Sequence, residues 1–342
     1  MNRVDILDRV KKRSEPWDIA VIGGGATGVG CAVDAAARGL DILLLEQHDF
    51  GKGTSSRSTK LVHGGVRYLA QGNISLVREA LKERGILLKN APHVVHKLAF
   101  VVPCYSLWQK FFYGTGLKMY DLLAGKYSLG KSRIISKEET LSRLPNIRSE
   151  GLKDGVLYFD GQFDDTRLLI DLVRTAASHG AAVLNYAQVI SLTKDADGID
   201  GVTFEDVETG EPFTVAAKAV INASGAFCDS VREMASKDAK PIIAFSQGIH
   251  LVLDKRFLSS DSALMIPKTS DGRVLFCIPW LGSLLVGTTD TPVDHAELEP
   301  KAFEGEIDFI LEAVKGYLSP CLLYTSDAAG IERCRSRWSP YH

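Results

Sequence analysis

The chain has 342 residues, of which 45% are hydrophobic and 24% charged, with a formal net charge of −2. That is the composition of an ordinary folded protein long enough for two domains, and its near-neutral balance argues against a general nucleic-acid binder, so any anion site must be local. An uncharged apolar run of about 18 residues, the minimum for a transmembrane helix, occurs nowhere.

The opening "MNRVDILDRVKKRSEPWD" is charged throughout and lacks the apolar core of a secretory signal, so residues 1–16 read as an N-terminal extension. From Trp17 to Ile22 an apolar strand leads into "GGGATG". After it "VGCAVDAAARGL" has helical spacing up to Gly39, and "DILLLE" is a second strand closing on Glu46. Strand, glycine turn, helix and strand form a βαβ unit. Gly23, Gly25 and Gly28 fit G-x-G-x-x-G, with Glu46 placed 21 residues after Gly25. Gly23 permits the tight turn, Gly25 lets backbone approach a pyrophosphate, and Gly28 lets helix and strand pack closely. The helix N-terminus offers N–H groups to phosphate, and Glu46 can accept from a ribose diol. The pattern predicts dinucleotide binding without separating NAD from FAD, although the lack of a second glycine fingerprint leans towards a flavin.

Next comes "GKGTSSRSTKLVHGGVRYL", rich in Gly, Ser and Thr, with Lys52, Arg57, Lys60 and Arg67 and no acidic residue. It predicts a local anion site. Residues 101–125 are aromatic-rich with interspersed Lys, which suits either a membrane interface or a helix packed on its own domain. Strand, acidic turn and helix follow between Leu152 and Ala182, the helix marked by Leu168, Leu172 and Ala176 and stopped at Gly180. "AAVLNYAQVISLT" reads as one strand, and Asp-Gly and Thr-Gly turns mark the hairpins that lead to "VINASGAF". Residues from Pro241 to Thr291 read as antiparallel strands. His250 lies among them, a lone strand histidine suited to proton transfer and equally to a structural hydrogen bond. The six cysteines, Cys31, Cys104, Cys228, Cys277, Cys321 and Cys334, show neither C-x-x-C nor metal-ligand spacing, which predicts a reducing compartment and no metal.

The blocks "DIAVIGGGATGVGCAVDAAARGL", "TSSRSTKLVHGGVRYL", "YFDGQFDDTRLLIDLVRTAASHGA", "VINASGAFCDSVREM" and "GTTDTP" together resemble the FAD-dependent glycerol-3-phosphate dehydrogenases, within the flavoprotein superfamily that includes D-amino-acid oxidase. The resemblance runs from Trp17 to Pro320. It implies an α/β fold: a discontinuous Rossmann-like FAD domain (17–90 and 151–238) of the D-amino-acid-oxidase/glutathione-reductase type, interleaved with an antiparallel-sheet substrate domain (91–150 and 239–320). It also implies oxidation of sn-glycerol 3-phosphate to dihydroxyacetone phosphate, hydride transfer to FAD and electron transfer to quinone. The expected location is the cytoplasmic face of a membrane, held peripherally, with a homodimer left open and nucleic acid not expected. An oxygen-using glycerol-3-phosphate oxidase, a related amine oxidase and a non-catalytic nucleotide module remain open alternatives.

Residue by residue, the resemblance puts Thr54, Ser55 and Ser56 at the flavin phosphates and ring. Lys60, Leu61, His63 and Gly64 fall beside the isoalloxazine, Val189 at the adenine, and Ala223, Ser224 and Gly225 where a strand end passes the cofactor. It puts Arg67, Tyr68, His250, Thr289 and Asp290 at the substrate. Beyond Pro320, "CLLYTSDAAGIERCRSRWSPYH" shows no strand or helix pattern, and its start resembles a translated sequencing adapter. Residues 321–342 therefore read as an artefact, with impaired FAD retention and turnover as the expectation.

Overall fold

The computed structural model describes residues 2–318 and 331–339; for Arg67, Ala70 and 331–339 it describes backbone alone. Helix α1 (Arg3–Lys12) precedes β1 (Ile19–Ile22), α2 (Ala26–Ala37) and β2 (Ile42–Leu45). A 3-10 turn (Thr54–Ser56) leads to β3 (Leu61–Val62), α3 (Val66–Ala70) and α4 (Ile74–Asn90). Then come β4 (Val95–Cys104), α5 (Leu107–Ala124), β5 (Arg133–Ser136), α6 (Lys137–Arg143) and β6 (Asp154–Phe163). The chain returns through α7 (Asp165–Ser178), β7 (Ala182–Leu184), β8 (Ala187–Lys194), β9 (Ile199–Asp206), β10 (Glu211–Ala216), β11 (Val220–Asn222) and α8 (Cys228–Ala235). It continues with β12 (Ser246–Asp254), β13 (Ala263–Ile266), β14 (Leu275–Trp280), β15 (Ser283–Gly287), β16 (Thr291–Pro292), α9 (Glu304–Lys315) and β17 (Ile331–Ser339).

A parallel sheet in the order β11-β1-β2-β7 forms the nucleotide-binding half. Both its faces are covered, which is why its strands are continuous apolar runs. Val21, Ile42, Leu44 and Val183 face α2 and α7, while Ala20, Ile22, Leu43, Leu45 and Leu184 face α1, α8 and the antiparallel meander β8-β9-β10. The small residues Gly28, Ala32, Ala35 and Ala36 on α2 let that helix sit close to the sheet.

The second half is a ten-stranded sheet in which β12, β15, β14, β13, β4, β6 and β3 lie side by side. One face packs on α9 through Ile249, Leu251, Val286, Ile310 and Val314; the other packs on α5 through Phe100, Tyr158, Leu285 and Leu117. Each such buried apolar side chain contributes about 1.5–3 kcal/mol.

Four details differ from the sequence expectations. The run "AAVLNYAQVISLT" is two strands, because Tyr186 takes φ +51 and turns the chain from the parallel sheet into the meander. The deepest stripe of α7 is Leu169, Val173 and Ala176, with Leu168 and Leu172 beside it. Both β3 and β6, which fall in the ranges 17–90 and 151–238 expected for the FAD domain, pair within the large sheet. In the tail, where no element is expected, residues 331–339 form β17, antiparallel to β12. Cys321 lies outside the described residues, as does the side chain of Cys334; Cys31, Cys104, Cys228 and Cys277 are free thiols.

Candidate FAD site

The C-terminal ends of β1, β2 and β11 converge on the N-terminus of α2. Gly23 has φ +111, and a Cβ on it would lie 2.5 Å from the Ala223 carbonyl oxygen. A Cβ on Gly28 would lie 2.0 Å from the Gly23 oxygen, so glycine alone lets α2 seat against the turn. Gly25 caps α2 without a side chain, and Ser55 Oγ accepts from the Ala26 N–H at 2.8 Å. At the end of β2, Glu46 accepts from the Gly24 N–H at 2.6 Å through Oε2 and from the His48 N–H at 2.8 Å through Oε1. Each carboxylate oxygen has a second lone pair, so Glu46 can brace the glycine turn and still accept from a ribose hydroxyl.

A groove of about 490 Å³ opens around this turn. Gly23, Gly25, Glu46, Thr54, Ser55, Val189, Ala223, Ser224 and Gly225 line it. Gly28 lies beneath it in its packing role, whereas Ser56, Lys60, Leu61, His63 and Gly64 are not among its lining residues. Ser230, Val231 and Met234 of α8 form a wall that the sequence reading leaves out; the signal was their helical spacing directly after "NASGAF". Leu298 also reaches the groove, and no local pattern marks it.

Most of the cations of the basic loop have carboxylate partners within the chain. Lys52 and Arg57 both pair with Glu299, Arg57 at 2.8 Å, and Arg57 also donates to the Leu298 carbonyl at 3.1 Å. Lys52, with Arg57 beside it, holds the Glu299 carboxyl below its usual range. Lys60 is buried, its Nζ 2.5 Å from Asp165 and 2.8 Å from the Ser56 carbonyl. Asp165 further accepts from the Ser58 amide and hydroxyl and from the Thr166 amide. Three of the four cations thus have carboxylate partners from distant parts of the chain. The fourth, Arg67, lies on α3, its side chain outside the described residues.

Within the same stretch, His63 is exposed on the turn after β3 and accepts from the Gly65 N–H through Nδ1 at 3.0 Å. Leu61 and Gly64 are buried, and Tyr68 is half exposed on α3. His250 is fully buried in β12 with Nε2 2.9 Å from Thr59 Oγ1, so it meets the basic loop from below. Its imidazole fills the space over Gly287, where a Cβ would come within 2.5 Å of Cδ2. Thr289 Oγ1 accepts from the Ile249 N–H and donates to Glu306, both at 2.9 Å. Asp290 lies 3.7 Å from Arg273. The structure therefore brings His250 to the loop and engages Thr289 with the buried carboxylate of α9.

The pattern of the FAD dependent oxidoreductase family matches residues 18–340, continuing beyond Pro320. The chain belongs to the FAD dependent oxidoreductase family. Among relatives, it is 46% identical over 319 residues to the mitochondrial glycerol-3-phosphate dehydrogenase of Arabidopsis thaliana, covering 90% of this chain and 51% of that one. It is 46% identical over 321 residues to the mitochondrial glycerol-3-phosphate dehydrogenase of Mus musculus, covering 90% and 44%. The chain thus spans about half the length of the curated relatives it matches. Among solved structures, glycerol-3-phosphate dehydrogenase from Bacillus halodurans complexed with FAD superposes with a TM-score of 0.80 at 32% identity, covering 99% of this chain and 59% of that one. L-alpha-glycerophosphate oxidase from Mycoplasma pneumoniae with FAD bound shares the fold, with a TM-score of 0.70 at 19% identity over 95% of this chain and 83% of that one.

FAD, the cofactor of this oxidoreductase family, fits the residues present. Ser55 Oγ shows that the first N–H of α2 points at an oxygen acceptor on the groove side, as a pyrophosphate requires. Glu46 lines the groove at the end of β2 with lone pairs that a ribose diol would use, and Ala187 and Val189 add apolar lining.

Proposed function

We propose that the protein containing this chain oxidises sn-glycerol 3-phosphate to dihydroxyacetone phosphate and delivers the electrons through FAD to quinone at a membrane surface. The observation that carries this reading is identity of about 45% over about nine-tenths of the chain to proteins named glycerol-3-phosphate dehydrogenase, coincident with a dinucleotide groove built from the matched residues. FAD in that groove supplies the hydride acceptor.

The chain's own residues divide the remaining tasks. The α2 N-terminus and Ser55 hold the pyrophosphate, and Glu46 the ribose. His250, locked by Gly287 and Thr59, keeps the floor of the basic loop in place. Arg67 and Tyr68 on α3 are the proposed contacts to the substrate phosphate.

The membrane part of the reading is supported by α5, whose core-facing side is Gly114, Leu117, Tyr120 and Ala124. Its outer side exposes Trp108, Phe111, Phe112, Met119 and Leu122, with Trp108 at 73% and Leu122 at 80% exposure. No described helix is long and apolar enough to cross a membrane, and an exposed aromatic face of this kind suits contact with a membrane interface. Anaerobic addition of sn-glycerol 3-phosphate to the FAD-loaded protein should bleach the flavin absorbance, and re-oxidation should follow added quinone. No bleaching would remove the dehydrogenase reading, and fast peroxide formation in air would replace quinone with oxygen.

A further inference from the structure

Behind the turn joining β3 to α3 lies a buried relay of polar side chains. Arg84 on α4 and Asp160 on β6 are 2.7 Å apart, their side chains 2% and 3% exposed. The other Asp160 oxygen accepts from the Tyr120 hydroxyl on α5 at 2.7 Å. Tyr120 Oη in turn accepts from the Gly64 N–H at 2.6 Å. Proton bookkeeping closes one way: the guanidinium donates, the carboxylate only accepts, and Tyr120 gives Asp160 its single proton while offering a lone pair to Gly64. Burial, then the neighbouring Asp160 charge, raises the Tyr120 hydroxyl well above its ordinary range, which keeps that proton in place.

Such a network is expensive to bury, since packing alone would be served as well by apolar side chains of similar volume. Its end point is informative, because it terminates on the backbone of the turn. A Cβ on Gly64 would lie 2.5 Å from both Leu81 Cδ2 and Tyr120 Oη, so the turn is pressed directly onto the hydroxyl. Gly65 follows at φ +71 with its N–H donated to His63, and the carbonyl of Val62 rests over Gly161, where a Cβ would come within 2.7 Å. The height of the turn is therefore set from below by one side-chain oxygen and one missing side chain.

We propose that Tyr120, held by the Asp160–Arg84 pair, is a positioning residue that sets the His63–Gly65 turn against the isoalloxazine ring and so tunes bound flavin without touching it. This rests on the reading that the FAD ring lies beside that turn. The test compares Tyr120→Phe with Tyr158→Phe in the full 342-residue chain. Tyr158 is as deeply buried and stacks edge-on against Tyr120, but its hydroxyl donates to Met265 Sδ at 3.3 Å and away from the turn.

Tyr120→Phe should change the visible band shape of bound FAD and slow flavin reduction about tenfold, with KM for sn-glycerol 3-phosphate within about twofold. Tyr158→Phe should leave the flavin spectrum as in the wild type. A wild-type spectrum and reduction rate in Tyr120→Phe, or equal changes in Tyr158→Phe, would overturn the assignment. Amide exchange on the FAD-free wild type gives a measurement independent of any variant's folding: Gly64 should be protected, and a freely exchanging Gly64 N–H removes the relay. Failure of the wild type to take up FAD would sink the reading of the groove itself, and this proposal with it.

Discussion

Lys60 combines two costs. It is a non-glycine residue at φ +61, a conformation costing on the order of 1–2 kcal/mol, and it buries an ammonium. Its pairing with Asp165, with both side chains almost wholly buried, is what offsets them. Removing one member of a buried pair typically costs about 3–5 kcal/mol, more than relief of the backbone strain returns. Lys60→Met should therefore lower stability by about 3 kcal/mol, and Lys60→Gly, which relaxes φ, should recover only about 1 kcal/mol of it in chemical denaturation. Equal stability of Lys60→Gly and wild type would mean that losing the pair costs no more than the relief of backbone strain returns. Glu299 is the opposite case, an exposed carboxylate shared by Lys52 and Arg57 beside Leu298 at the groove. Exposed pairs contribute about 0–1 kcal/mol, so Glu299→Gln should leave global stability almost unchanged. It leaves Lys52 and Arg57 uncompensated beside a groove for an anionic pyrophosphate, so FAD release should slow about two- to fivefold, read from recovery of flavin fluorescence on dilution.

At the scale of elements, α1 is docked on the nucleotide-binding half. Asn2 caps it, Val10 is buried, and Arg3 donates to the carbonyls of Asn185 and Tyr186 as well as to Asp206 at 2.6 Å. Arg9 and Arg13 stack over Trp17, at 5.0 and 4.3 Å from the ring centre. The Arg3 guanidinium holds the Asp206 carboxyl below its ordinary range. A carboxyl depressed in the folded state contributes stability that is fully present above its unfolded pKa of about 3.9 and is lost as pH falls through the folded value. Trp17 fluorescence should accordingly stay flat from pH 7 to about 5 and change only below about pH 4. At neutral pH, Arg3→Ala should speed tryptic cleavage between Arg9 and Arg13 about fivefold, the equivalent of about 1 kcal/mol of docking. A midpoint near pH 6 would mean that some group other than Asp206 controls the helix.

Across the whole molecule, what the sequence makes legible is what is local. The glycine spacing, the strand on either side and Glu46 occupy one unbroken stretch, and the turns at 195–198 and 207–210 announce themselves by Asp-Gly and Thr-Gly. The ion pairs are illegible for the converse reason: Arg84 finds Asp160 at 76 residues' separation, Lys60 finds Asp165 at 105, and Arg57 finds Glu299 at 242. No periodicity specifies which carboxylate meets which cation, so a loop that is basic in sequence is largely neutralised in space. The turn at Tyr186 is hidden because a tyrosine at positive φ carries no glycine to mark it. The groove that results draws its walls from β1, β2, β8, the turn after β11, α8 and the Leu298 loop, segments that only the folded chain brings together. FAD should therefore bind the folded state alone and stabilise it by linkage, about 2.7 kcal/mol at one hundred times its Kd. For a chain of this size that is a rise in Tm of about 4 °C. Gly23→Ala, which drives a Cβ to 2.5 Å from the Ala223 oxygen at φ +111, should abolish the rise while the FAD-free protein still melts cooperatively. A Tm unmoved by FAD in the wild type, or moved equally in Gly23→Ala, would show that the glycine turn does not hold the cofactor.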